Sequence, residues 1–249
     1  MVATLALVVD QRRAQRGDRA RWCRAHRDCC HLGDPFADRS TEMTQRPALN
    51  PRDVALAGHL GDAETARAGL SASDPTVRIT AIGALERLGL LTVLDLETLL
   101  HRETEAAPEV RRRAAEAAAA FTNMELLEVL DDPDWSVVET ACWALGEHEG
   151  ASDSTLTRLI ALATSHDEPL VREAAVAALG AIGDERGLPA ILAATNDKPA
   201  VRRRAAVSLA PFDQQEAEAA LARLLHDRDW QTRQIAEDLL DARPGAAPA

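Results

Sequence analysis

The chain has 249 residues, 46% apolar, 27% charged and 3% aromatic, with a formal net charge of −12 and an isoelectric point near 5.1. A surface this acidic does not draw in phosphate backbones by bulk charge, and no apolar run of about 18 residues or more is present to cross a membrane as a helix. A core of Ala and Leu, with no Tyr in the chain, points to closely packed helices, since Ala is the best helix former and loses no side-chain entropy on folding.

Residues 1–42 hold 8 Arg and 6 acids, a net of +2, and show no helical period. Met1 to Val9 is apolar, but no basic stretch precedes it and no small-residue cleavage site follows, so it does not read as a signal peptide. Cys23, Cys29, Cys30 and His31 have a spacing unlike that of a zinc finger or knuckle, and no metal is expected. With Cys142 standing alone, the cysteines form no disulfide framework, and a reducing cytoplasm is the expected compartment. Lys198 is the only Lys against 27 Arg, the bias of a GC-rich bacterial genome. Met43 is therefore expected to be the true start, with residues 1–42 a mis-assigned extension or else a disordered arm, and the N-terminal extension as a whole is bounded at 1–46.

From residue 47 to 241 the chain repeats itself, the mark of stacked helical units. Each unit is expected to pair a short A helix with a longer B helix. In chain order the A helices fall near 62–71, 92–102, 123–131, 153–165, 187–195 and 214–226, with Asp62, Asn123 and Asp153 as N-caps. Leu94, Leu96, Leu99 and Leu100 are expected to line the second of them. The B helices begin at Asp74-Pro75-Thr76-Val77-Arg78, Pro108-Glu109-Val110-Arg111, Asp134-Trp135-Ser136-Val137-Val138, Glu168-Pro169-Leu170-Val171-Arg172, Lys198-Pro199-Ala200-Val201-Arg202 and Asp229-Trp230-Gln231-Thr232-Arg233. Their anchors, Val77, Val110, Val137, Val171, Val201 and Thr232, are 33, 27, 34, 30 and 31 residues apart, enough for one helix pair each. Pro at the first turn has its φ preset and needs no N–H. The acid before it can cap the free amides. Apolar residues then recur at helical spacing, as in Val171, Ala175, Leu179 and Ile182, and Gly183 permits a left-handed stop. Residues 242–249 read as a disordered tail.

The Asp-Pro-x-Val-Arg starts and Ala-x-x-Ala-Leu-Gly ends, fullest from Val171 to Gly183, resemble HEAT repeats, especially the short kind named for phycobilisome lyases. The resemblance covers about 51–241 and implies an all-α solenoid of about six helix pairs. It also implies that the first Arg of each unit is structural and bonds to neighbouring acids. Three departures stand out: Val138 replaces Arg, Trp135 and Trp230 replace Pro, and His148 takes a core position. His148-Glu149 is the one His-Glu pair, whereas the HEAT-like di-iron hydroxylases use several, because two irons need many ligands. It reads as a helix-end histidine.

No phosphate-cradling loop, nucleophile elbow or metal-binding helix motif is present, so no catalytic, cofactor or metal residues are assigned. The arginine runs Arg111–Arg113 and Arg202–Arg204 read first as a solvated face matched by Glu116, Glu139 and Glu173. Trp143 is different. It lies off the apolar stripe, where other units carry Gly83, Glu116, Ala177, Val207 and Asp238, and exposed Trp and Arg are enriched at binding hot spots. The expectation is a cytoplasmic, non-catalytic scaffold or adaptor whose B helices line a concave, acidic face and bind a protein or peptide partner. Trp143, Glu139, Glu173, Arg112, Arg203, Trp135 and Trp230 are the candidate contacts. Alternatives are an accessory or bilin-lyase-like enzyme, which the resemblance brings, and a nucleic-acid-binding protein.

Overall fold

Asp and Pro at the head of each repeat do what their chemistry suggests. In the computed structural model, which describes residues 49–148 and 150–242, the side chains of Asp74, Asp134, Glu168 and Asp229 each accept a hydrogen bond from a backbone N–H in the first turn that follows. Where Ala107 and Lys198 hold that place, no side-chain cap forms, and Pro108 and Pro199 open the helix instead.

The described residues form twelve α-helices: α1 (Pro51–Leu60), α2 (Ala63–Gly69), α3 (Pro75–Leu88), α4 (Val93–Leu100), α5 (Pro108–Ala118), α6 (Trp135–Gly146), α7 (Asp153–Ser165), α8 (Pro169–Ile182), α9 (Leu188–Ala194), α10 (Pro199–Ser208), α11 (Gln215–Leu224) and α12 (Trp230–Asp241). Single 3-10 segments span Leu127–Asp131 and Glu185–Gly187. Helices α1, α3, α5, α6, α8, α10 and α12 form one layer, each packed on the next. Helices α2, α4, α7, α9 and α11 and the segment Leu127–Asp131 back that layer, each against the helix that follows it in sequence. This is the all-α solenoid the repeat pattern implied. Residues 1–48, with Cys23, Cys29, Cys30, His31 and Met43, lie outside the described residues, as do Glu149 and residues 243–249.

The anchors form the spine of the core. Val77, Val110, Val137, Val171, Val201 and Thr232 are all fully buried. Full burial of a Val side chain contributes at most about 1.5–3 kcal/mol against an extended chain. Helix α8 is buried well beyond a single stripe, through Val171, Ala174, Ala175, Val176, Ala178 and Leu179, because α6, α7, α9 and α10 all pack on it. Gly183 ends it at φ +69°.

Several expectations need correction. The A helix placed at 123–131 is only a 3-10 segment, and Asn123 caps nothing. Val110 and Val137 are 27 residues apart, the shortest spacing in the array, and that leaves too little chain for a full helix and two turns. Ser152, not Asp153, caps α7. Leu94 is 71% exposed. It lies two residues before Leu96, about 200° round the helix from the buried stripe of Leu96, Leu99 and Leu100. Within the expected repeat region, one further helix precedes the first that the pattern names. Asn50 caps α1, Pro51 opens it and Val54 is fully buried, but Val54 follows its Pro by three positions instead of two.

Candidate functional site

Two systems of charged side chains run along the layer of α3, α5, α8 and α10, and only one is a candidate for binding. The first is a ladder of arginines just after the anchors. Arg78 grips Glu105 through Nε and Nη2 at 2.6 and 2.7 Å. Arg111 does the same to Asp132 at 2.7 and 2.9 Å, Arg172 to Asp197 at 2.7 and 2.8 Å, and Arg202 to Asp227 at 2.8 and 2.7 Å. Each Nη1 also donates to carbonyls of the loop entering its own helix, such as Glu105 and Ala106 for Arg111. One side chain thus fastens its own loop and the next. The paired guanidinium holds the carboxyls of Asp197 and Asp227 below their usual range.

These acids escaped the sequence reading. Glu105, Asp132 and Asp227 each sit five residues before an anchor and Asp197 four, and that regularity was the available signal. Between α3 and α12 the ladder has one gap. Val138 stands at the Arg position, and the matching acid position holds His166, whose Nδ1 takes the backbone N–H of Glu168 at 3.1 Å. This is the bond that the carboxylates of Glu105, Asp132 and Asp227 make to Ala107, Asp134 and Asp229. Arginine and acid are replaced together.

The ladder and separate surface pairs engage five of the six arginines in the two runs. Arg111 and Arg202 belong to the ladder. Arg113 pairs with Glu86 and Glu116, Arg203 with Gln231 and Asp229, and Arg204 with Glu173. Among the described residues Arg112 alone of the six has no ion pair or hydrogen-bond partner.

The second system is a groove of about 520 Å³ across α6, α8 and α10. Its floor is small because α8 presents Ala174, Ala177, Ala178, Gly180 and Ala181 there. The helices also lie very close. A Cβ on Gly180 would stand 2.5 Å from Cβ and 2.7 Å from Cα of Ser208 on α10, and one on Gly146 would stand 3.3 Å from Cα of Ala178. Trp143 rises on one side, 44% exposed, and Val207 on the other, 45% exposed. Glu139, Glu147, Glu173, Leu170 and Arg204 complete the lining.

Of the candidate contacts, the groove brings together Trp143, Glu139 and Glu173. It does not include Arg112 on α5, Arg203 on α10, Trp135 or Trp230. Trp135 and Trp230 open α6 and α12 and are 45% and 64% exposed. Glu147, Leu170, Arg204 and Val207 were not foreseen. His148 is buried, its ring Nε2 3.1 Å from the carbonyl of Ala118, a helix-end histidine in the core. Among the described residues no group of three or more His, Cys, Asp or Glu is placed to hold a metal.

A family model for HEAT repeats matches residues 123–209, the stretch that holds α6 to α10. No curated protein matches the sequence. Among solved structures, the complex of CpcE and CpcF of phycocyanin lyase from Nostoc sp. PCC7120 is similar at 24% identity, with a TM-score of 0.53 over 85% of this chain and 81% of that one. Two engineered proteins are similar at 19% and 21% identity, with TM-scores of 0.54 and 0.52. Each match covers 72% of this chain and 97% and 95% of theirs. At these identities the likeness is one of fold. The matched stretch therefore carries HEAT repeats, set within a helical-repeat fold that continues on either side of it.

Proposed function

We propose that the protein is a non-catalytic scaffold or adaptor that holds a protein or peptide partner in the groove over α6, α8 and α10. The observation that carries this reading is Trp143, a large ring left 44% exposed beside an apolar floor of Ala and Gly. Aromatic residues in such settings supply the anchors of protein interfaces. The chain that matches in the CpcE–CpcF complex is itself part of a protein assembly, which suits the same role. Nucleic acid is disfavoured, because Glu139, Glu147 and Glu173 line the groove and the arginines of the ladder are engaged. Cys142 offers no thiolate chemistry at neutral pH, because burial pushes its thiol up to about 12. No described helix is long and apolar enough to cross a membrane, and the reading places the protein in the cytoplasm.

Affinity capture of the full chain from its own cell lysate, with Trp143→Ala alongside, tests the reading. The partner is expected on the wild type and lost from the variant, whose melting temperature shifts by less than about 4 °C, since the ring lies off the core. Equal retention by both proteins overturns the reading. So does an empty capture together with a stoichiometric small-molecule ligand.

A further inference from the structure

Carboxylates surround one indole in the groove. Glu139, Trp143 and Glu147 are four residues apart along α6 and its cap, so they share one face, with an acid one turn to each side of the ring. Glu173 holds on α8 the repeat position that Glu139 holds on α6, and it lines the same groove. The one cation in the lining is Arg204, 3.7 Å from Glu173. Three carboxylates against one guanidinium leave the groove negative. Two other acids of the layer are matched by arginines, Glu86 by Arg113 and Asp229 by Arg203. Among the described residues Glu139 and Glu147 have no ion pair, and Glu139 accepts only from the Thr140 hydroxyl at 3.3 Å.

We propose that the groove takes an arginine side chain from a peptide segment of the partner. The guanidinium stacks on Trp143 between Glu139 and Glu147, and a neighbouring aliphatic residue lies on the floor of Ala174, Ala177 and Ala178. This rests on the adaptor reading above and names the chemistry of its partner. A cation is attracted to the face of an indole, and Trp is the best ring for it. Arginine suits the site better than lysine, because its planar, weakly hydrated fork can stack on a ring and donate in its own plane to carboxylates on both sides. An ammonium is a hydrated point charge with no plane to match. An acidic peptide or a phosphate would meet the carboxylates with like charge.

The test is selection from a random dodecapeptide display library on the full-length protein, followed by binding of the selected peptides to variants. Enrichment of arginine beside an aliphatic residue is expected. Binding should fall about tenfold or more with Trp143→Ala, and also with the isosteric Glu139→Gln/Glu147→Gln protein, in which the ring is intact. Replacing the peptide arginine by lysine should weaken binding severalfold, and added salt should weaken it further. Peptides that need Trp143 but lack arginine, or that bind the double Gln variant unchanged, overturn this proposal and leave the adaptor reading standing. If no selected peptide depends on Trp143, both fall.

Discussion

Arg111 and Gly180 show how much of this fold rests on single residues. The Arg111–Asp132 pair is the most enclosed rung of the ladder, its side chains only 5% and 2% exposed. Arg111→Met leaves the Asp132 carboxylate buried without its cation, and the carbonyls of Glu105 and Ala106 without their donor. Removal of one partner from a buried pair costs about 3–5 kcal/mol. Urea unfolding should show that loss, and a smaller one for Arg172→Met, whose pair is 14% and 19% exposed. Equal losses would mean that burial does not set the strength of a rung. Gly180→Ala is a steric test. The new methyl would meet Cα of Ser208, a backbone atom that cannot turn aside. Overpacking of this kind costs about 1–3 kcal/mol, more than the gain in helix propensity of up to about 1 kcal/mol. Ser208→Gly in the same protein should recover part of the loss. A stabilising Gly180→Ala would show that α8 and α10 separate freely.

The elements were legible wherever a start signal was strong. Prolines, acids and buried Val anchors placed α3, α5, α8 and α10, because each of those residues has one local reason to be at a helix head. The segment near 123–131 was misjudged because its leucines and valine are as apolar as a helix requires. What shortens it is the length of chain between Val110 and Val137, a property of the stack rather than of the segment. The junction between α6 and α8 shows the same limit. Val138 could be seen to replace an arginine, but only the structure shows His166 at the place of its acid. Val138 is 2% exposed, so Val138→Arg alone buries a charge with no carboxylate and should destabilise by several kcal/mol. With His166→Asp added, the rung present at four of the other junctions becomes available. The double variant should recover about 1–3 kcal/mol over the sum of the single changes in a double-mutant cycle. Additive single effects would show that this junction cannot accept a rung.

The groove was half legible for a reason that concerns the whole molecule. Trp143, Glu139 and Glu173 could be found as residues off the apolar stripe. The groove itself depends on α10 standing beside α8, which brings Arg204 and Val207 across from α6 and leaves Arg203 on another surface. A stack in which each unit touches only its neighbours draws its stability from the interfaces between units, and here those interfaces carry the arginine ladder. Acid should therefore attack the stack through its rungs. Hydrogen bonds from Arg172 and Arg202 keep the carboxyls of Asp197 and Asp227 below their ordinary value, so in acid the unfolded chain binds more protons than the folded one. The stability these groups contribute is complete above roughly pH 5, and it is lost as the pH falls through the unfolded value of about 3.9 and on toward the folded one. The urea midpoint should be nearly flat from about pH 7 to 5 and then fall steeply. General charge repulsion also grows in acid, and the Asp197→Asn/Asp227→Asn protein separates the two effects. That variant should be weaker at neutral pH, and its midpoint should fall less than that of the wild type on acidification. Parallel decline of the two proteins would place the acid sensitivity outside the ladder.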